Sequence, residues 1–161
     1  MQEEKNKSDA LKILSRISIF SGLDRPVVEK IYRLCTERCF PKNQTIFREG
    51  EKGNAMMIIL SGKARVTQMI NSKQEEALVV LKEGEAFGEM ALLEKLPRSA
   101  TVIAQTDLLL IEITRKDFLD FVDRNPKSGN RILFNIARIL SARLRETDTK
   151  LKTFINLSQW I

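Results

Sequence analysis

Histidine is absent from this chain of 161 residues. No histidine general base, histidine zinc ligand or histidine-bound haem is therefore available. Cysteine is scarce: Cys35 and Cys39 stand four apart with no companion ligands for a zinc site. They read as buried free thiols near a helix end. No apolar run is long enough to cross a membrane. The N-terminus, Met1-Gln2-Glu3-Glu4-Lys5, lacks the apolar core of a secretion signal. A cytoplasmic protein is expected. A chain of this length suits one domain and buries roughly 70% of its unfolded surface, so neither disulfide nor metal is needed for stability.

Charge is present in excess of one sign, and it is unevenly placed. The net charge is +6. Residues 127–152 hold Lys127, Arg131, Arg138, Arg143, Arg145, Lys150 and Lys152 against Glu146 and Asp148, a net +5 that leaves the remainder near neutral. Such a segment is either a solvated helix face or a surface for nucleic acid or an acidic partner.

Helical and strand periods divide the chain. Residues 1–7 are polar and read as a flexible N-terminus. Ser8 or Asp9 caps a first helix carrying Leu11, Leu14, Ile17 and Ile19. Asp24 caps a second, with Pro26 in its first turn and Val27, Val28, Ile31, Leu34 and Cys35 on one face. Short apolar runs at 44–48, 55–60, 63–70, 75–81, 100–105 and 108–113 follow. Gly50, Gly53, Gly62 and Gly84 and the run Asn71-Ser72-Lys73 mark reversals between them. Many short strands with frequent turns predict a sandwich or barrel. Met56 and Met57 read as core filling. Thr114 then caps a helix through about Arg124 that buries Phe118, Leu119, Phe121 and Val122. Asn125-Pro126 is a boundary, and a long helix starts near Ser128. Its Leu133, Ala137, Leu140, Leu144, Thr147, Leu151 and Phe154 follow the four-three spacing of a coiled-coil seam. Ile132, Ile136 and Ile139 form a second face for the chain's own core. A homodimer through this helix is expected; the alternative is a lone helix lying on the barrel.

The chemistry concentrates in residues 87–102. Gly88 allows a sharp bend or a close approach. The segment from Glu89 to Leu93 suits one helical turn, whose first N–H groups attract anions. Pro97 ends it and Arg98 follows, offering a fork of donors that fits phosphate oxygens. Ser99 adds a hydroxyl. Glu89, when ionised, only accepts hydrogen bonds and so suits hydroxyl groups. Two arrangements fit these residues: an ion pair between Glu89 and Arg98, or a site for a ligand bearing both a phosphate and hydroxyls.

The order Phe87-Gly88-Glu89, a small apolar turn, then Pro97-Arg98-Ser99-Ala100-Thr101-Val102 resembles the phosphate-binding cassette of the cyclic nucleotide-binding domain family. The resemblance extends over about residues 14–145, and the glycine turns at 49–54 and 60–63 resemble those of the family. Asn54 stands where the family often has Asp. The resemblance implies an α+β fold: an eight-stranded β jelly-roll barrel flanked by N-terminal helices and a C-terminal helical lid. It divides the chain into a flexible N-terminus (1–7), a nucleotide-binding domain (8–126) and a lid or dimerisation helix with its tail (127–161).

By the same resemblance, Arg98 takes the cyclic phosphate, assisted by the N–H groups of Ala91 and Ser99. Glu89 with Gly88 takes the ribose 2′-hydroxyl, and Met90 and Ala100 complete the cassette. Val66 and Leu78 match positions that touch the base, although ordinary inward-facing core reads equally well for each. Leu140, Arg143 and Leu144 are lid candidates, and Trp160 can stack on a base if the tail folds back. The hydroxyl of Ser99 is compatible with both common ligands; cyclic AMP is expected, with cyclic GMP as the alternative.

No activated nucleophile or metal set is visible, so an enzyme is not expected, nor any cofactor beyond the nucleotide. A regulatory sensor acting on an unknown downstream protein follows. Its rival is a ligand-free interaction module with the same fold. A DNA-binding activator needs a helix-turn-helix domain after the long helix, for which few residues remain. Direct sequence-specific DNA binding is not expected.

Overall fold

The computed structural model describes the backbone of residues 2–71 and 74–158. Helices α1 (Gln2–Leu14) and α2 (Arg25–Tyr32) precede eight strands: β1 (Thr36–Phe40), β2 (Thr45–Phe47), β3 (Ala55–Ser61), β4 (Lys63–Asn71), β5 (Gln74–Lys82), β6 (Ala86–Phe87), β7 (Thr101–Ala104) and β8 (Leu108–Thr114). The short helix α3 (Met90–Leu93) lies between β6 and β7, and helices α4 (Arg115–Arg124) and α5 (Pro126–Ser158) end the chain. The strands form two antiparallel four-stranded sheets, ordered β1-β8-β3-β6 and β2-β7-β4-β5. This is the expected α+β architecture of two facing sheets with helices.

The run Ala-Met-Met-Ile-Ile-Leu of β3 is buried throughout because both faces of its sheet are covered. Side chains alternate across a strand. Ala55, Met57 and Ile59 point between the sheets, where they meet Ala64, Leu81, Phe87, Val102 and Leu110. Met56, Ile58 and Leu60 point the other way, toward a helical layer containing Leu14, Phe20, Ile31, Phe118, Ile132 and Ile136. Both methionines are thus core residues. Each fully buried aliphatic side chain contributes about 1.5–3 kcal/mol. Ile132 and Ile136, at 0% and 1% exposure, anchor α5 through the inward face read from its sequence.

Several boundaries differ from expectation. Helix α1 begins at Gln2, so Ser8 and Asp9 lie inside it, and Asp9 pairs with Lys12 at 3.0 Å instead of capping. The helix ends at Leu14; Ile17 and Ile19 are buried from a turn and a short 3-10 segment, Ser18–Phe20. Asp24 holds the N-cap position of α2, yet its side chain makes no capping bond. Thr114 does cap α4, accepting from the Asp117 N–H at 3.1 Å and donating to its carboxylate at 2.6 Å. Strands β1 and β6 were not legible as apolar runs. Helix α5 starts at Pro126, directly after the Asn125 break. Cys35 follows α2, half-buried, whereas Cys39 is exposed on β1, so only one thiol is sheltered. Among the described residues no helix is long and apolar enough to cross a membrane. Ser72, Lys73 and Trp160 lie outside the described residues.

Candidate functional site

The 87–98 stretch is fixed from both ends. Phe87 pairs with Met57 across β6 and β3, which sets Gly88 beside Ala55. At the other end, the Arg98 N–H donates to Glu51 O at 2.8 Å, and the Gly50 N–H donates to Arg98 O at 2.9 Å. A bridge between Lys52 and Pro97 adds to this. The glycine turn after β2 therefore clamps the arginine's backbone, so its side chain is aimed by local structure.

Arg98 is 9% exposed. Its Nη2 donates to Ala55 O at 2.8 Å and approaches Met57 Sδ at 4.0 Å, while Nη1 donates to Gly88 O at 3.4 Å. The guanidinium carbon lies 4.1 Å from the centre of the Phe47 ring, a cation–π contact. Phe47 in turn meets Phe87, ring centres 5.9 Å apart. Burial pulls the Arg98 pKa below the usual arginine value, opposed by the negative charges of Glu112, Glu51 and Glu89. Backbone carbonyls alone do not neutralise a cation, so the group is stabilised by dipoles and an aromatic face while its charge stays available to an anion.

Two glycines make room for it. A Cβ at Gly88, whose φ is +73°, would lie 2.5 Å from Arg98 Nη1; one at Gly53 would lie 2.8 Å from Arg98 Nε. Gly53 and Phe47 were not singled out by sequence as parts of the site. The signal at hand was an aromatic residue near the end of the 44–48 run, shortly before a glycine turn.

Glu89, 4% exposed, does not pair with Arg98. Its Oε1 accepts a hydrogen bond from Nη1 of Arg143 on α5. The ion-pair arrangement between Glu89 and Arg98 is therefore replaced by one that ties the cassette to the long helix. Beside this pair, Ile19, Ala86, Ile136 and Ile139 enclose a cleft of about 180 Å³.

The remaining expected residues are distributed as follows. Ala91 is buried, and its N–H is donated to Gly88 O at 3.1 Å. Ser99 is exposed, with its carbonyl accepting from Gln68 Nε2 at 3.4 Å. Met90 is 45% exposed, and Ala100 is half-buried before β7. Val66 packs on the cluster between the sheets, whereas Leu78 is 55% exposed on β5, which rules out a core role for it. Leu140 packs on the helical layer. Leu144 is 63% exposed. Of the three lid candidates, Arg143 is the one bonded to the cassette.

In this two-sheet roll a sheltered arginine and a buried carboxylate stand on one loop between β6 and β7. The sequence pattern of the cyclic nucleotide-binding domain matches residues 37–125. The cyclic AMP receptor protein of Thermus thermophilus is 35% identical over 133 residues, 83% of this chain and 60% of that protein. The cGMP-dependent protein kinase egl-4 of Caenorhabditis briggsae is 33% identical over 117 residues, 71% of this chain and 16% of that one. The crystal structure of the Thermus thermophilus catabolite activator protein superposes with a TM-score of 0.78 at 34% identity, covering 85% of this chain and 62% of that one. The chain belongs to the cyclic nucleotide-binding domain family. It spans about 60% of the length of the receptor protein it matches.

Proposed function

We propose that this domain is a regulatory sensor of a cyclic nucleotide, cyclic AMP in the first instance, and that occupancy repositions α5. The observation that carries this reading is Arg98: a sheltered guanidinium with carbonyl and aromatic neighbours, framed by two glycines and, among the described residues, bonded to no carboxylate. In this reading Arg98 takes the cyclic phosphate and the Ser99 N–H assists. The Ala91 N–H joins them by leaving Gly88 O, which reshapes α3. Glu89 with Gly88 takes the ribose 2′-hydroxyl. That contact selects ribose over deoxyribose, because only ribose offers a 2′-hydroxyl donor in exchange for the Arg143 bond. The base lies between β4–β5, near Val66 and Leu78, and α5.

A ligand signals only by favouring one conformation over another. The Glu89–Arg143 pair supports a route: a hydroxyl bound at Glu89 competes with Arg143 for the same carboxylate, so site and helix are energetically linked. The module then acts by how α5 meets a downstream protein, and not by catalysis.

Ser99 is compatible with either base, so the preference for cyclic AMP rests on the Thermus relative, which is named for cyclic AMP. The kinase relative is named for cyclic GMP, and that nucleotide is the alternative ligand. A ligand-free interaction module draws on a different observation: Glu89 and the Ala91 N–H already have partners within the chain. Isothermal titration of both nucleotides, with Arg98→Ala as control, separates these readings. Saturable heat that disappears in the variant supports the sensor, and the tighter nucleotide identifies its ligand. No heat from either nucleotide in folded, nucleotide-free protein selects the interaction module.

A further inference from the structure

Arg131, Arg138, Arg145 and Lys152 recur on α5 at intervals of seven residues. Seven residues make nearly two helical turns, so the four cations form one stripe with steps of about 10.5 Å. All four are exposed. The segment between α1 and α2 walls the stripe beside Arg131, Arg138 and Arg145. Arg131 and Lys127 line a groove of about 460 Å³ with Leu23, Val27 and Phe134. Arg138 and Arg145 line a second groove of about 640 Å³ with Arg16. The Asn135 amide pins the wall by donating to Ile19 O at 3.0 Å and Ser21 O at 2.9 Å. Among the residues lining the two grooves, Asp24 is the single carboxylate. Among the described residues no ion pair neutralises Arg16, Lys127, Arg131, Arg138 or Arg145.

We propose that this groove docks an acidic amphipathic helix of a partner protein, with carboxylates repeating every seven residues. The pitch of the stripe equals the pitch of such a helix, so several charge pairs form in one register. Apolar contacts accompany the charges: Phe134 is 60% exposed, and Leu23, Val27 and Ile139 line the grooves beside it. A phosphate backbone needs cations and no apolar floor, so a protein helix fits these grooves better than nucleic acid. Arg138, Arg145 and Lys152 follow the seam residues Ala137, Leu144 and Leu151 by one position and so lie about 100° round the helix from the coiled-coil seam; Arg131 continues the same row seven residues earlier. Pairing of two copies through the seam leaves the stripe open. The proposal does not depend on nucleotide binding.

Fluorescence anisotropy on the full chain tests it with three labelled probes: a helical peptide with glutamate at every seventh position, the same composition shuffled, and a short DNA duplex. The repeating peptide is expected to bind about tenfold or more tighter than the shuffled one, and to lose about tenfold or more against Arg138→Glu/Arg145→Glu. Circular dichroism checks the fold, and Arg138→Gln/Arg145→Gln replaces that variant if reversal unfolds the helix. Equal binding of both peptides, absence of peptide binding, or indifference to both variants overturns the proposal. Tighter binding of the duplex than of the peptide, lost in the same variants, assigns the groove to nucleic acid and also overturns it.

Discussion

Gly53→Ala isolates the position of Arg98 from every other feature of the cassette. The Gly53 backbone lies outside the positive-φ region, so alanine introduces no backbone strain there. Its methyl would sit 2.8 Å from Arg98 Nε and 3.0 Å from Cδ and Cζ, well inside contact distance. The guanidinium is the flexible partner and must move. If the proposed phosphate contact depends on that position, the loss approaches one charge-assisted hydrogen bond, about 1.5–3 kcal/mol. Nucleotide affinity then falls about 10- to 150-fold in isothermal titration, while thermal stability changes little. Gly84→Ala is the complementary control. Gly84 has φ +80° and nothing within 4 Å of its would-be Cβ, so alanine brings strain without collision. It should lower stability by about 1–2 kcal/mol, with Tm falling about 2–4 °C per kcal/mol, and leave affinity unchanged. A folded Gly53→Ala protein that binds nucleotide within about twofold of the parent refutes the role given to the guanidinium's position.

Removing the tether to α5 by Arg143→Ala leaves Glu89 without its cation. Breaking fully buried pairs costs about 3–5 kcal/mol, but Arg143 is half in water, so a loss of about 1–2 kcal/mol is expected in urea titration, with faster hydrogen exchange after residue 140. Leu144→Glu should convert a dimer to a monomer in light scattering. A concentration-independent monomer mass for the parent chain removes the seam from consideration. Burial and the Asp117 charge push the Cys35 thiol up to about 12 from 9.0. A thiol reagent at neutral pH should therefore modify Cys39 and spare Cys35 in the folded protein. Because the folded value lies above the unfolded one, the contribution of Cys35 to stability is full below about pH 9 and declines as pH rises toward 12. A denaturation midpoint that does not fall over that interval contradicts the burial of this thiol.

The cassette was legible because its parts are contiguous: turn, carboxylate, proline and arginine follow one another within a single loop. The environment of Arg98 was less legible. Phe47 and Ala55 lie 51 and 43 positions away and meet the arginine only once β2 and β3 are in place. Six strands were visible from apolar runs that face a core. Strand β1 was not, because Thr36, Glu37, Arg38 and Cys39 are exposed at the edge of a sheet, where charge discourages pairing with other chains. Strand β6 is two residues long, shorter than any period can register. Arg143 was recognised as a candidate near the ligand, but its partner was not. Helical spacing places a side chain on a face, and only the packing of α5 on the helical layer brings that face to Glu89.

Helix α5 carries three different surfaces, and their order along the chain bears on how a signal would travel. Ile132 and Ile136 fix the first turns to the core. Arg143 ties the helix to the cassette through Glu89. From residue 141 onward every described side chain is exposed, including Leu144 and Leu151 on the coiled-coil seam. Most helical stability in a protein comes from packing of an apolar face, so the distal half depends on whatever covers the seam. Glu89 thus sits at the junction between a fixed segment and a conditional one. In the proposed mechanism a ribose hydroxyl need not push the helix: drawing the carboxylate away from Arg143 is enough to change how the distal half is held. The free energy available is bounded by that one half-exposed pair, so the coupling should be no more than about 1–2 kcal/mol, roughly 5- to 30-fold between states. A larger measured coupling would require a contact between the base and α5, for which Leu140 and Leu144 are the residues to substitute.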